Sequence, residues 1–374
     1  MKKLLYLDNA STTFPKPEIV YKSMDHNYRT RGFNAGRSGH SALAALSDMI
    51  LETRSMLAIL LGGPAPDKIV FMPSATICLN TIIQGLSWRK NDVVYVSPFE
   101  HNAVLRPLHR IRQEFDIKIK LIPVNRDYRF DLKNLEKLLI EDKPRLICCT
   151  HVSNVLGLIC PVEAVAALAR KHGSVLLVDG TQGAGLIDVN VVKAGIDFYV
   201  FAGHKTLYGP FGIAGYIYNS EIRIRPLYFG GTGTHSEQEF CPDVIPTRYE
   251  AGSPNILSIS GLHASLKWLQ KHLPPKIFEH ERKTMHQLKN FLTRLPDLEI
   301  VEIPDEISAG IVSCIPQKGS STDYAKFLDR EFNIVVRPGA HCAPYAHEFL
   351  GTLDSGTVRF SLGYFNKASQ FAGL

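Results

Sequence analysis

The sequence predicts an α/β fold: a large, mainly parallel β-sheet covered by helices, joined to a smaller α+β portion. Three observations carry this. Between about residues 69 and 220, short apolar runs alternate with longer stretches of helical period. From about residue 256 the texture changes to two long helical patterns followed by short strands. The chain has 374 residues, too many for one ordinary core.

The apolar runs are Ile69–Met72, Val93–Ser97, Ile117–Ile122, Leu146–Thr150, Val175–Val178, Phe198–Phe201 and Ile213–Ile217. They read as the strands of the parallel sheet. Residues 221–255 are loop-rich, with Gly230-Gly231-Thr232-Gly233 and several prolines. Helical patterns then cover 256–273 and 278–294, and short strands are expected near 299–303, 309–315 and 333–337. The expected domains are 15–255, a large α/β domain, and 1–14 with 256–374, a small α+β domain. The N-terminal segment, with Pro15 and Pro17, is expected at their junction.

Composition narrows the function. A net charge of +6 is spread along the chain, which favours small anionic molecules over nucleic acid. No signal peptide is visible, and no run approaches the roughly 20 apolar residues of a membrane span. Seven cysteines without framework spacing point to a reducing, cytoplasmic setting.

The chemistry-bearing residues fall at strand ends, the edge where open α/β sheets bind ligands. One run leads into Asp179-Gly180-Thr181-Gln182, another into Gly203-His204-Lys205. Alone, the lysine reads as a surface residue and the aspartate as a cap or turn residue. Together at one edge they suit pyridoxal phosphate. The lysine would bond to the aldehyde, and the acid would keep the ring nitrogen protonated. Gln182 and Asn154, in His151-Val152-Ser153-Asn154, would donate to the cofactor's phenolate oxygen. Ser74-Ala75-Thr76 opens a helical pattern after a strand, a cradle for phosphate. His101, in Glu100-His101-Asn102-Ala103, would stack on the ring.

Further along, Cys342 lies beside His341 on the Gly- and Pro-bearing loop Arg337–Pro344. That is an environment for a reactive thiolate, with His341 a candidate to tune it. A metal reading from His341, Cys342 and His347 lacks a fourth ligand at metal-site spacing. Arg359, in a strand-like stretch, has the fork geometry to clamp a carboxylate.

In their shared order these residues resemble the class V, fold-type I pyridoxal phosphate enzymes of the cysteine desulfurase and selenocysteine lyase group. The likeness runs from Leu7-Asp8-Asn9-Ala10-Ser11-Thr12-Thr13 to Arg359. It includes Glu250-Ala251-Gly252-Ser253-Pro254-Asn255, a segment that in the family reaches the partner subunit's phosphate. The resemblance implies a pyridoxal phosphate-dependent transferase fold of type I and a homodimer with active sites shared across a two-fold interface. For residues, it implies Lys205, Cys342 and His101 as catalytic. Ala75, Thr76, His101, Asn154, Asp179, Gln182, His204, Lys205 and Ser253 would bind the cofactor. Arg359, Asn154 and Arg37 would bind the substrate.

The implied reaction removes sulfur or selenium from L-cysteine or L-selenocysteine, gives L-alanine and leaves a persulfide on Cys342. A sulfur-acceptor protein would be a transient partner. Alternatives are a selenocysteine-specific lyase and a class V aminotransferase, which has no use for Cys342. A non-catalytic pyridoxal phosphate-binding scaffold would not explain Lys205, Asp179 and Arg359 together. The compact cysteine loop resembles the short-loop (Suf-type) group. Ala202 stands where many relatives carry a phosphate-binding serine, Ala75 where a threonine is frequent, and Thr206 is an extra residue before Leu207-Tyr208-Gly209-Pro210. Thr232 and Thr234 could compensate for the lost phosphate contact. With Asn34–His40, these departures suggest a divergent branch.

Overall fold

The computed structural model describes residues 4–33, 41–233 and 237–371. A short strand β1 (Leu5–Tyr6) precedes seven strands that form the main sheet: β2 (Ile69–Met72), β3 (Val93–Val96), β4 (Lys118–Leu121), β5 (Leu146–Thr150), β6 (Val175–Asp179), β7 (Phe198–Ala202) and β8 (Ala214–Tyr218). Their spatial order is β2-β8-β7-β6-β5-β3-β4. Of these seven, β8 alone runs against the others, pairing antiparallel with β2 and β7. The ends of β2, β3, β5, β6 and β7 therefore share one edge of the sheet.

Strands β5 to β8 are buried along their whole length. Alternate residues feed two cores, one on each face of the sheet. Ile147, Cys149, Leu176 and Val178 pack on one face, and Cys148, Leu177, Phe198 and Val200 on the other. Strand β4 is the open edge, and Lys118 and Lys120 sit on it, a charge pattern that discourages further pairing.

The apolar pattern assigns no element between residues 18 and 61. Two helices lie there, Glu18–Arg31 and Ser41–Leu61. Helix Ile256–His272 packs against both. Its Ile259, Leu262, Leu266 and Leu269 enter the core beneath the main sheet. The helix Pro274–Leu292 follows.

A second sheet contains β9 (Leu298–Ile300), β10 (Ile311–Pro316), β12 (Arg337–Gly339) and β13 (Thr357–Ser361), in the order β12-β13-β10-β9. Strand β11 (Ile334–Val335) pairs in parallel with β1. A third core, with Leu7, Phe291, Leu328 and Phe360, fills this region. The N-terminal chain continues beside β13 through an Asp8–Ser361 bridge. It then meets the lysine segment, where Thr13 N–H donates to the His204 carbonyl at 3.2 Å. Among the described residues no helix is long and apolar enough to cross a membrane.

A buried polar link ties the lysine segment to the second sheet. The Tyr208 hydroxyl donates to Glu281 Oε1 at 3.1 Å and accepts from the Tyr364 amide at 2.7 Å. Burial pushes the Glu281 carboxyl up to about 8. The folded state thus holds a proton that the unfolded chain releases near pH 4.5. The resulting stabilisation is complete below that pH and is lost as the pH rises to about 8. Glu281→Gln is expected to remove a component that lowers the melting temperature between about pH 5 and 8, read as the difference between the variant and wild-type melting curves. Glu100, pushed to about 8 by its own burial, retains part of the slope.

Candidate active site

The shared edge of the main sheet opens into a cavity of about 130 Å³. Strand β6 ends in Asp179, and Gly180 follows because the Tyr199 ring leaves no room for a side chain: a Cβ there would come within 2.2 Å of it. Strand β7 leads to His204 and Lys205, β5 to Asn154, β3 to His101 and β2 to Ser74-Ala75-Thr76. All of these line the one cavity, with Gln182 and Ala202.

Each side chain has a definite setting. Lys205 keeps part of its surface open to the cavity, but loss of bulk water lowers its amine to about 8, against the opposing pull of Asp179. His101 caps the helix Asn102–Phe115, its Nδ1 accepting from the Ala103 amide at 2.9 Å. That bond places the neutral ring's proton on Nε2. Burial, helped by the nearby Lys205 charge, lowers the imidazole to about 4. Asp179 Oδ1 accepts from the Thr181 amide at 3.1 Å. Gln182 donates to the Ala10 carbonyl at 2.7 Å, fastening the N-terminal segment across the site.

The helix Ala75–Gly85 starts at the cavity, with Ser74 Oγ accepting from the Ile77 amide. The amides of the first turn before Ile77 remain for an anion. The His204 ring stacks on Phe211 at 4.5 Å between centroids, and its buried Nδ1 has no partner among the described residues. Beneath the site, Glu100 is fully buried and accepts from Ser97 Oγ at 2.6 Å.

Cys342 and Arg359 arrive from the second sheet. Of the seven cysteines, Cys342 is the exposed one. His341 and Cys342 both adopt left-handed backbone, with φ of 49° and 58°. Two bonds fix this turn to the main-sheet side: the Asn102 amide donates to the Cys342 carbonyl at 2.6 Å, and Asn154 Nδ2 to the His341 carbonyl at 2.8 Å. The His341 ring turns inward to Thr357 Oγ1, and burial lowers it to about 2. It therefore brings no positive charge to the Cys342 thiol, contrary to the tuning role its place in the sequence suggests.

Arg359 is buried. Its Nη1 donates to the Asn154 carbonyl at 2.9 Å and its Nη2 to Asp8 Oδ1 at 2.7 Å and Ser11 Oγ at 2.9 Å. Ser253 lies elsewhere: it is exposed and lines a separate cavity of about 630 Å³ with Phe71, Gly230 and Thr232. Arg37, Thr234 and the segment 34–40 fall outside the described residues.

Sequence pattern alone gives no individual role to Asp8, Ser11, Lys16 or Arg337. Lys16 Nζ donates to Thr12 Oγ1, Thr13 Oγ1 and the His204 carbonyl, at 3.2, 2.7 and 2.7 Å. Burial lowers that amine to about 7. Arg337 Nη1 donates to Ser11 Oγ at 2.8 Å. Only the Leu7–Thr13 motif as a whole hints at the first two residues.

The donor set suits pyridoxal phosphate on internal grounds. A desolvated amine and a carboxylate face one cavity, and an unpartnered imidazole nitrogen and free helix amides offer donors to an anion. This sheet and this edge define a fold-type I, pyridoxal phosphate-dependent class of enzyme. The aminotransferase class-V family model matches residues 5–374, and the chain belongs to that family. It is 31% identical to a probable cysteine desulfurase of Methanothermobacter thermautotrophicus, over 98% of this chain and 92% of that protein. It is 33% identical to a cysteine desulfurase of Escherichia coli O127:H6, over 91% of this chain and 84% of that one. Among solved structures, the apo cysteine desulfurase of Thermococcus onnurineus NA1 superposes with a TM-score of 0.90 at 30% identity, covering 99% of this chain and 92% of that one. The Escherichia coli cysteine desulfurase CsdA, in its S-sulfonic acid form, superposes at 0.88 with 28% identity, covering 98% and 92%.

Proposed function

We propose that the protein is a cysteine desulfurase that converts L-cysteine to L-alanine and leaves the sulfur as a persulfide on Cys342. The observation that carries this is the exposed Cys342, pinned through its own and the preceding carbonyl to the side of the site that holds Lys205. An aminotransferase has no task for such a thiol.

In this reading Asp179 faces the cofactor's ring nitrogen, His101 its ring face, and Gln182 and Asn154 its phenolate oxygen. Ala75, Thr76 and His204 take the phosphate, and Ser253 does so from the neighbouring subunit of a homodimer. Bound pyridoxal phosphate supplies electron withdrawal from the substrate's α-carbon. Arg359 holds the α-carboxylate, with Asn154 and Arg37 beside it. Lys205 would anchor the cofactor and, with its amine free, would take the α-proton on Nζ; an amine near 8 is well matched to that task. Cys342 Sγ, as thiolate, attacks the substrate sulfur. The S–S bond forms as the C–S bond breaks, its electron pair stays with Cβ, Cβ takes a proton, and Lys205 returns a proton to the α-carbon to complete alanine. The same site accommodates L-selenocysteine. The persulfide then passes to an acceptor protein in the cytoplasm.

The two-lobe division is part of this proposal: 15–255 holds the cofactor, while 1–14 and 256–374 carry Cys342 and Arg359. Helix Ile256–His272, although it falls in the second lobe by number, packs with the first. The test is a product assay with cysteine and selenocysteine side by side. Alanine from cysteine, with a persulfide on the Cys342 peptide, is expected. Alanine from selenocysteine alone would sink the reading.

A further inference from the structure

The turn that bears Cys342 needs holding. His341 and Cys342 both sit in left-handed backbone, with φ of 49° and 58°, which side-chain-bearing residues keep only where their surroundings impose it. The Ala343 amide closes the turn across them on the Ala340 carbonyl at 3.0 Å. Two routes tie this turn to one loop of the main sheet, residues 153–157. The direct route is the bond from Asn154 Nδ2 to the His341 carbonyl at 2.8 Å. The second is a file of hydroxyls. Ser313 Oγ donates to the Val155 carbonyl at 2.6 Å, so it accepts from Thr357 Oγ1 at 3.3 Å, and Thr357 Oγ1 in turn accepts from His341 Nε2 at 3.0 Å. Val155, Ser313, Thr357 and His341 are all buried.

The two routes differ at their inner ends. The hydroxyl file stops at a backbone carbonyl. Asn154 instead lines the cavity that holds Lys205 and Asp179, and His341, Cys342 and Thr357 are not among its lining residues. An asparagine amide carries two N–H donors. One is spent on the turn, which leaves the other for a group in the cavity. A side chain held at one end can swing, and one held at both ends fixes whatever it holds. The backbone of the same residue aligns Arg359, whose Nη1 donates to the Asn154 carbonyl at 2.9 Å.

Resting on the reading that Asn154 faces the phenolate oxygen of pyridoxal phosphate, we propose that Asn154 is the positioning residue through which the cofactor steadies the Cys342 turn. Its second N–H, once given to that oxygen, fixes the amide plane, and the fixed amide holds the His341 carbonyl. The thiol is then firmly presented only where there is a cofactor to serve.

The test is hydrogen–deuterium exchange of the segment 340–347, read by mass spectrometry with and without saturating pyridoxal phosphate. The helix Ser321–Phe332, which contributes no residue to either route, is the internal reference. In the wild type the cofactor is expected to slow the segment about fivefold relative to that helix, the factor that one hydrogen bond supplies. A change below about twofold overturns the proposal. Asn154→Ala is expected to exchange faster and, at full cofactor occupancy, to lose the cofactor dependence. A retained dependence overturns the proposal, because a merely structural Asn154 would speed both states alike. Ser313→Ala cuts the second route and is expected to speed both states while their ratio stays. Loss of the ratio there would move the coupling to the hydroxyls and overturn the account. The wild type and Ser313→Ala decide the matter even if Asn154→Ala takes up no cofactor. If the wild type makes no alanine from cysteine while the ratio holds, the desulfurase reading falls alone.

Discussion

Lys205→Ala is expected to lose the covalently held cofactor and at least about 10³-fold in turnover, roughly 4 kcal/mol of barrier. Borohydride reduction of the wild-type holoprotein should place the pyridoxyl label on the Lys205 peptide, and the variant should carry none. The structure contains a rival amine. Lys16 is also desolvated, to about 7, and lies against the His204 carbonyl. Its Nζ already bonds to Thr12, Thr13 and the His204 carbonyl, and Lys16 is not among the residues that line the cavity holding Lys205. Label on Lys16, or undiminished turnover in the variant, would remove Lys205 from the centre of the assignment.

Cys342→Ala is the second large effect. The variant should keep the cofactor label at the wild-type level, since the exposed Cys342 is not among the residues that line the cavity. Alanine formation from cysteine should fall at least about 10²-fold, and persulfide on the protein should vanish. Retained cysteine turnover would instead favour an aminotransferase, which has no use for the thiol. The two variants therefore separate cofactor anchoring from sulfur acceptance.

Much of the fold and site is legible in the sequence, and the reasons are physical. Strands buried on both faces, such as Leu146–Thr150 and Phe198–Ala202, announce themselves as unbroken apolar runs. The polar residues that follow them had to fall at the ligand edge, so Asp179, Lys205, His101 and Asn154 share one cavity. Side-chain direction is not legible. His341 precedes the thiol in sequence, yet its ring points away to Thr357. The clamp on Arg359 is hidden for another reason. Asp8 and Arg359 are 351 positions apart, and no local pattern signals such a pairing. Nor does the sequence show that Asn154 spends one amide hydrogen on the cysteine turn.

The N-terminal strand beside Ser361 has a consequence for biosynthesis. During translation the cavity walls from Ser74 to Lys205 emerge early, well before the turn that bears Cys342. The Asp8–Arg359 contact and the Leu7–Ser361 hydrogen bond form only when the last strand has left the ribosome. A nascent chain can thus complete the cavity walls while still lacking the two residues to which the proposed function gives the substrate carboxylate and the sulfur. Joining residue 8 to residue 359 makes completion of the chain the condition for closing this end of the site, and on the proposed reading of Arg359 a product truncated before it is expected to turn over no cysteine.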